Sequence, residues 1–205
     1  MGPAGPLGQA VAQLIGEPVA LYKEKINYKL PGGGGYRAHQ DGYRGLGVSL
    51  EPYAFMAYVC MIAADDFTAA NGCPELAPEV WAKKEGILPG HLNATMGTPV
   101  DCREFVEPEA QNAAATPVDQ GPWTACPMQR GDVLIYDNYM PHKSAVNASP
   151  HPRRALFAVY NALAEGDYHE RYYEEEKQKR RKDGSAAVKG APNGFFTGQA
   201  VLATS

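Results

Sequence analysis

Alternating apolar and polar residues mark the first strand of the chain. From Leu21 to Leu30, large apolar side chains alternate with lysines and an asparagine over most of the segment. A period of two predicts a β-strand with one apolar and one polar face. The apolar side chains are Tyr22, Ile26, Tyr28 and Leu30, and the polar ones are Lys23, Lys25, Asn27 and Lys29.

Three further apolar segments predict a mainly β fold. Asp132–Tyr136 and Ala155–Leu163 have the length and composition of strands, and the nearly continuous apolar run Ala54–Ala64 fits a strand buried on both faces. A buried helix is the alternative for that run. Helices are expected at Gly8–Ile15 and Tyr168–Lys182. With 22 glycines and 17 prolines between short elements, we expect a jelly roll, that is, a cupin-like double-stranded β-helix with a few flanking helices.

Composition and charge restrict the class of protein. The expected organisation is a single domain over residues 1–183, which includes a short N-terminal extension at 1–18, followed by a Gly- and Ala-rich tail at 184–205. A net charge of −4 without a basic stripe argues against nucleic-acid binding. No apolar run reaches membrane-spanning length. No secretory signal precedes the four cysteines, so we expect reduced thiols and a cytoplasmic protein.

A His-x-Asp pair and a distant histidine are candidate metal ligands. His39 and Asp41 are two residues apart, so an extended backbone directs both side chains to one face. His142 lies just after Pro141, at the start of another expected strand. Two imidazoles and one carboxylate form the facial arrangement of non-haem Fe(II) oxygenases. Zinc accepts the same ligand types and is the alternative metal.

An arginine beyond these ligands adds a second function to the candidate site. A guanidinium binds a carboxylate through two parallel hydrogen bonds, which is what a 2-oxo acid cosubstrate requires. Arg153, 11 residues after His142, is the candidate, and the neighbouring Arg154 is the alternative. The combination predicts an enzyme that uses 2-oxoglutarate and O2 to oxidise a small molecule.

Four sequence blocks, taken in order, resemble the phytanoyl-CoA dioxygenase-like family of Fe(II)/2-oxoglutarate-dependent dioxygenases. The blocks are Tyr28–Gly35 before His39-Gln40-Asp41, Asn71–Pro78, Gly131–Tyr136, and His142-x-Ser-x-x-Asn147 leading to Arg153. The resemblance implies that the iron ligands are His39, Asp41 and His142. It also implies that 2-oxoglutarate is bound by Arg153 and Ser144, with additional contacts from Lys25 and Asn27.

Alternatives stay open for several of these residues. Lys25 and Asn27 also fit an ordinary exposed strand face. Asn71-Gly72 predicts a turn. A tryptophan such as Trp123 lines a substrate cavity or, more often, packs in a core. No catalytic role is assigned to any side chain beyond the metal ligands.

The implied reaction is hydroxylation of a small anionic or zwitterionic metabolite, with release of succinate and CO2. The motifs resemble hydroxylases of the ectoine and 2-aminoethylphosphonate type more than enzymes of acyl-CoA thioesters. A cupin-like metal protein without oxygenase activity and a catalytically silent 2-oxoglutarate-binding protein are the alternatives.

Two features depart from the family: Glu79-Val80-Trp81 replaces its usual Gly-Ser-His, and the segment before His39 is short. We hypothesise that a homodimer covers what that segment leaves exposed.

Overall fold

The computed structural model describes residues 1–39, 57–78, 105–106, 121–138 and 140–182. Its helices are α1 (Pro6–Ile15) and α2 (His169–Lys182), and a 3-10 turn lies at Leu163–Glu165. The strands are β1 (Val19–Lys29), β2 (Gly35–His39), β3 (Ala57–Ala63), β4 (Pro74–Leu76), β5 (Phe105–Val106), β6 (Thr124–Ala125), β7 (Val133–Asp137), β8 (His142–Ser144) and β9 (Arg153–Ala162). Within the described residues, each segment expected to be a strand contains one, and the buried-helix alternative for residues 54–64 is wrong over Ala57–Ala63.

Two antiparallel sheets form the domain. One has the strand order β1-β9-β3-β7 and the other β5-β2-β8-β4-β6. A hydrogen bond from Lys29 to Ser144 and a ring contact between Tyr136 and His142 connect the sheets across the interior. Two facing antiparallel sheets with few helices agree with the predicted jelly roll.

Strand β1 turns its polar face inward, towards the space between the sheets. Lys23 and Lys29 are only 7% and 5% exposed, whereas Tyr28 and Leu30 on the other face are each 41% exposed. The β1–β9 register sets this orientation, because Lys29 lies opposite Arg153 and its neighbours alternate from there. The ordinary exposed-face alternative is therefore wrong for this strand, and charged groups line part of the interior.

Each helix covers a different part of the β1 sheet. Helix α1 packs Val11 against Cys60, Ala158 and Tyr160 on the outer face of that sheet. Helix α2 is held to β1 by an ion pair of 2.9 Å between His169 and Glu24 and by ring and hydroxyl contacts of Tyr172 and Tyr173. These two tyrosines are therefore docking contacts.

Other expectations concern thiols, membrane segments and boundaries. Cys60, Cys73 and Cys126 are free thiols, and Cys102 lies outside the described residues. Neither α1 nor α2, the helices in the described part of the chain, is long and apolar enough to span a membrane. The tail at 184–205 also lies outside the described residues, so the predicted domain boundary stays a prediction.

The segment joining β8 to β9 is fixed by the fully buried Asn147. Its Nδ2 donates hydrogen bonds to the carbonyl oxygens of Lys29 (2.9 Å) and His151 (2.7 Å). Its Oδ1 accepts hydrogen bonds from the backbone N–H (3.0 Å) and the hydroxyl (2.7 Å) of Ser149. The backbone N–H of Asn147 donates to the carbonyl of Gly33 after β1. Asn147 therefore positions the end of β1 against the segment that leads to Arg153.

A tight turn at Asn71-Gly72 packs against the same region, as the sequence predicts. Gly72 has a φ of 70°, which favours glycine. A Cβ at this position would lie 2.3 Å from the carbonyl oxygen of Ala145 and 3.0 Å from Nζ of Lys29. The glycine thus allows the turn to approach the Lys29 side chain closely.

Replacing Asn147 with alanine should destabilise the protein by about 3 kcal/mol, because the buried carbonyl of Lys29 loses its donor and the Ser149 N–H loses its acceptor. Urea unfolding followed by circular dichroism measures the change. Ser149→Ala is the control, with an expected cost below about 1 kcal/mol, since the Ser149 N–H still donates to Asn147. Equal losses in the two variants would contradict this role of Asn147.

Candidate active site

The backbone brings two of the three predicted metal ligands to adjacent positions. In the β2–β8 pair, His39 lies opposite His142. Directly opposed residues of antiparallel strands are close neighbours on one face of a sheet. Asp41 and the side chain of His39 lie outside the described residues, so the complete ligand set stays a prediction.

The His142 side chain has the hydrogen bonding of a metal-binding histidine. It is buried, and its Nδ1 lies 2.9 Å from the carbonyl oxygen of Met140. Because that oxygen only accepts, Nδ1 carries the hydrogen and Nε2 carries the lone pair of the neutral ring. The ring also packs against Tyr136, with the centroids 5.0 Å apart. Among the side chains described, no three histidine, cysteine or acidic residues form a metal group, which is expected when His39 and Asp41 are not among them.

Arg153 is a buried cation at the start of β9. Only 6% of the residue is exposed, and the guanidinium carbon lies 4.4 Å from the centre of the Phe67 ring. Its Nε is buried and has no hydrogen-bond acceptor among the residues described. Burial lowers the pKa of Arg153 to about 10. A buried donor of this kind favours binding of an anionic group.

Lys29 lies opposite Arg153 on β1 and is a site residue that the sequence motifs did not reveal. Its Nζ donates a hydrogen bond of 2.8 Å to Oγ of Ser144 and another to the carbonyl of Ala145. Burial, and then the charge of Arg153, lower the pKa of Lys29 to about 7. The alternation along β1 placed Lys29 on the polar face, but only the register with β9 shows that it neighbours Arg153.

Lys29, Arg153 and Ser144 lie together in the interior, and we call this group the cationic pair and its serine. Within the described part of the chain, neither cation has a carboxylate at ion-pair distance. The nearby Asp65 is occupied by Arg154, through hydrogen bonds of 2.9 and 2.6 Å. Arg154 is half-exposed on the opposite face of β9. The structure therefore brings Arg153, rather than Arg154, into the interior.

Lys25 and Asn27 lie further along the inward face of β1 than Lys29, and their contacts with 2-oxoglutarate stay a prediction. Lys25 lies opposite Phe157, with its Nζ 4.8 Å from the ring centre, and Asn27 lies opposite Ala155. Lys25 is four residues from Lys29, which is roughly 13 Å along a strand. Both residues share the inward face with Lys29 but occupy a different part of the interior.

The remaining candidate aromatic and histidine residues have contacts elsewhere. Trp123 packs against Lys143, whose Nζ lies 4.7 Å from the indole ring and 3.8 Å from Glu75. His151 is exposed, and His169 pairs with Glu24. Trp81 and His91 lie outside the described residues.

Sequence comparison matches the chain to a known family and to characterised relatives. The profile described as phytanoyl-CoA dioxygenase (PhyH) matches residues 5–155. A methylphosphonate hydroxylase of Gimesia maris is 40% identical over 176 residues, which are 85% of this chain and 57% of that protein. A 2-aminoethylphosphonate dioxygenase of an uncultured bacterium is 31% identical over 169 residues, which are 82% of this chain and 56% of that protein. The chain thus spans somewhat over half the length of these relatives.

Solved structures share the fold. EctD from S. alaskensis, crystallised with 2-oxoglutarate and 5-hydroxyectoine, superposes with a TM-score of 0.56 at 24% identity, covering 78% of this chain and 50% of that one. The epimerase SnoN, in complex with Fe3+, alpha ketoglutarate and nogalamycin RO, gives a TM-score of 0.53 at 19% identity, covering 77% and 55%. These likenesses confirm the predicted fold class. With a profile match over most of its length and a relative at 40% identity, the chain belongs to the phytanoyl-CoA dioxygenase family.

Proposed function

We propose that this protein is an Fe(II)- and 2-oxoglutarate-dependent dioxygenase that hydroxylates a small anionic metabolite and releases succinate and CO2. The observation that carries the proposal is the buried cationic pair, Lys29 and Arg153. Lys29 is hydrogen-bonded to Ser144, which lies on the strand that begins at His142. An anion-binding group beside a candidate metal ligand suits a cosubstrate that has a carboxylate at each end. Membership of the family supports the same reaction class.

The cationic pair and its serine are proposed to bind the distal carboxylate of 2-oxoglutarate. Arg153 offers a planar donor group whose Nε lacks an acceptor among the described residues, and Phe67 supports the guanidinium from one side. Lys29 adds a second charge, and Ser144 holds that ammonium in place. Charged hydrogen bonds in a site with little solvent give both affinity and orientation.

His39, Asp41 and His142 are proposed to hold Fe(II). The fit rests on His142, whose Nδ1 is committed to the Met140 carbonyl so that Nε2 offers its lone pair. When bound, the iron supplies the activation of O2 that hydroxylation requires. The protein's own residues orient the cosubstrate, exclude water and place the substrate.

A phosphonate is the substrate class to test first. Two relatives are named for phosphonate hydroxylation or dioxygenation, and the higher identity is to the methylphosphonate hydroxylase. The inward lysines of β1 support an anionic substrate.

We further propose a cytoplasmic enzyme that acts without nucleic-acid or membrane partners. The net charge of −4 and the free thiols support these points, and a homodimer stays a prediction.

Succinate formation tests the reaction class, and Arg153→Gln tests the site. The purified protein is incubated with Fe(II), ascorbate, 2-oxoglutarate and a panel of phosphonates, carboxylates and ectoine. We expect succinate that depends on added iron, and a KM for 2-oxoglutarate raised about 10- to 100-fold in Arg153→Gln, because charged hydrogen bonds are lost.

Arg154→Gln is the matched control, since that arginine pairs with Asp65 on the outer face. Its KM for 2-oxoglutarate should stay within about twofold of the wild-type value, which corresponds to a loss of under about half a kcal/mol. A wild-type protein that forms no succinate with any member of the panel contradicts the reaction class. Equal effects of the two substitutions contradict the assignment of Arg153.

The affinity for 2-oxoglutarate should fall as the pH rises above about 7. Lys29 in the ligand-free protein has a pKa lowered to about 7, so its ammonium is charged below that pH and increasingly neutral above it. A bound carboxylate favours the ammonium and raises its pKa, so affinity declines between the free and the bound pKa. Anaerobic calorimetry across this range measures the dissociation constant. Lys29→Met should bind weakly without that decline, and the same pH dependence in both proteins would contradict the role of Lys29.

A further inference from the structure

Lys25 is an inward-facing cation on β1, four residues from Lys29. The register places it opposite Phe157, which belongs to the interior cluster that also contains Tyr136. Tyr136 in turn contacts the ring of His142. Lys25 and the predicted metal ligand therefore border the same interior region, from opposite sheets.

The Lys25 ammonium is held by packing alone within the described part of the chain. Its Nζ lies 4.8 Å from the Phe157 ring centre, and no described residue forms an ion pair with it or accepts a hydrogen bond from it. The other inward lysine with a known hydrogen bond, Lys29, is fixed by Ser144. A half-buried ammonium over an aromatic ring, without an acceptor, is available to bind an anion.

None of the carboxylates in the described part of the chain forms an ion pair with Lys25, and three of them pair with other residues. Glu24, the neighbour of Lys25 on β1, pairs with His169 on the outside of the sheet. Asp65 pairs with Arg154, and Glu75 pairs with Lys143. The described carboxylates therefore leave Lys25 available for an anion from solution.

Distance separates Lys25 from the cosubstrate group. Four residues of strand, roughly 13 Å, divide the Cα atoms of Lys25 and Lys29. A 2-oxoglutarate whose distal carboxylate is on Lys29 and Arg153, and whose other end reaches towards His142 on the opposite sheet, does not extend along β1 to Lys25. A different anion is needed to match this ammonium.

A row of apolar side chains extends from Lys25 across the inner face of the sheet. The residues paired side by side with Lys25 across the neighbouring strands are Phe157 on β9, Met61 on β3 and Leu134 on β7. The next row of the sheet ends at Tyr136, beside His142. A small anion bound at Lys25 would rest on this apolar surface, within the interior region that His142 also borders.

Resting on the proposed function, we propose that Lys25 binds the anionic group of the substrate, a phosphonate, and is a specificity-determining residue separate from the cosubstrate group. The sequence resemblance instead assigned Lys25 to 2-oxoglutarate. If Lys25 binds the substrate, removing its charge raises the KM for the phosphonate. If Lys25 binds the cosubstrate, the same change raises the KM for 2-oxoglutarate.

Lys25→Met tests the proposal, because methionine keeps the packing over Phe157 and removes the charge. With 2-oxoglutarate saturating, we expect the KM for methylphosphonate to rise at least tenfold and the KM for 2-oxoglutarate to stay within about twofold. Lys25→Arg, which keeps the charge, should restore most of the loss. Lys143→Met is the control with the same charge change on the other sheet, where Lys143 contacts Glu75 and Trp123, and should behave as the wild type.

Anaerobic calorimetry with methylphosphonate gives a readout that needs no turnover. If the wild-type protein binds methylphosphonate and the dissociation constant is at least tenfold higher in Lys25→Met, the proposal is supported even if no succinate is formed. The result is therefore separate from the test of the proposed function. Lys25→Gln serves if the methionine variant does not fold. An unchanged dissociation constant, a KM increase for 2-oxoglutarate instead, or a wild-type protein that binds carboxylates but no phosphonate overturns the proposal.

Discussion

Two cations buried side by side, Lys29 and Arg153, are the constraint on which the rest of the site depends. Burial lowers the pKa values of both groups, and the charge of Arg153 lowers the pKa of Lys29 further. A protein keeps such an arrangement only if the surrounding structure holds it. Here the long β1–β9 pairing, the Asn147 hydrogen bonds and the close Gly72 turn all meet at this point. A bound anion would relieve the repulsion, which is why we propose this arrangement as the site of a dicarboxylate.

The jelly roll separates the tasks of the site along its strands. Strand β8 presents His142 and Ser144 from one sheet, whereas β1 and β9 present Lys29 and Arg153 from the other. Because side chains alternate along a strand, one inward face of β1 offers cations at several distances from the metal site. With the roles proposed above, the cation nearest Arg153 serves the cosubstrate and Lys25 serves the substrate. Relatives that differ at the position of Lys25 should then differ in substrate while keeping 2-oxoglutarate.

Sequence periodicity was sufficient to predict the positions of the strands, but it did not predict which face of a strand turns inward. The alternation over 21–30 and the apolar runs at 132–136 and 155–163 predict β1, β7 and β9 closely, because strand formation is a local property. Which face of β1 turns inward is a tertiary property, and the usual expectation of apolar side chains inside fails for Tyr28 and Lys29. We propose that the desolvation of this lysine is accepted because it serves a binding site, which no local pattern reports.

The candidate site was likewise predictable in part. His142, Ser144 and Arg153 follow from residue type and motif order, and the structure brings Ser144 and Arg153 together through Lys29. Lys29 itself was not predictable, because its partner is set by the register between strands far apart in sequence. The same register separates Lys25 from Arg153, although the sequence places Lys25 and Lys29 on one face. Substrate choice depends on such distances, which sequence motifs do not encode.

The central claim is that 2-oxoglutarate binds the cationic pair at one end and an iron held by His142 and its partners at the other. Anaerobic titration of the Fe(II)-loaded protein with 2-oxoglutarate tests both ends at once, because chelation of Fe(II) by a 2-oxo acid gives a visible charge-transfer absorption. We expect an absorption that saturates in the wild type, needs at least tenfold more 2-oxoglutarate in Arg153→Gln, and is lost in His142→Ala. A wild-type protein without this absorption, or a His142→Ala variant that keeps it, would contradict the claim.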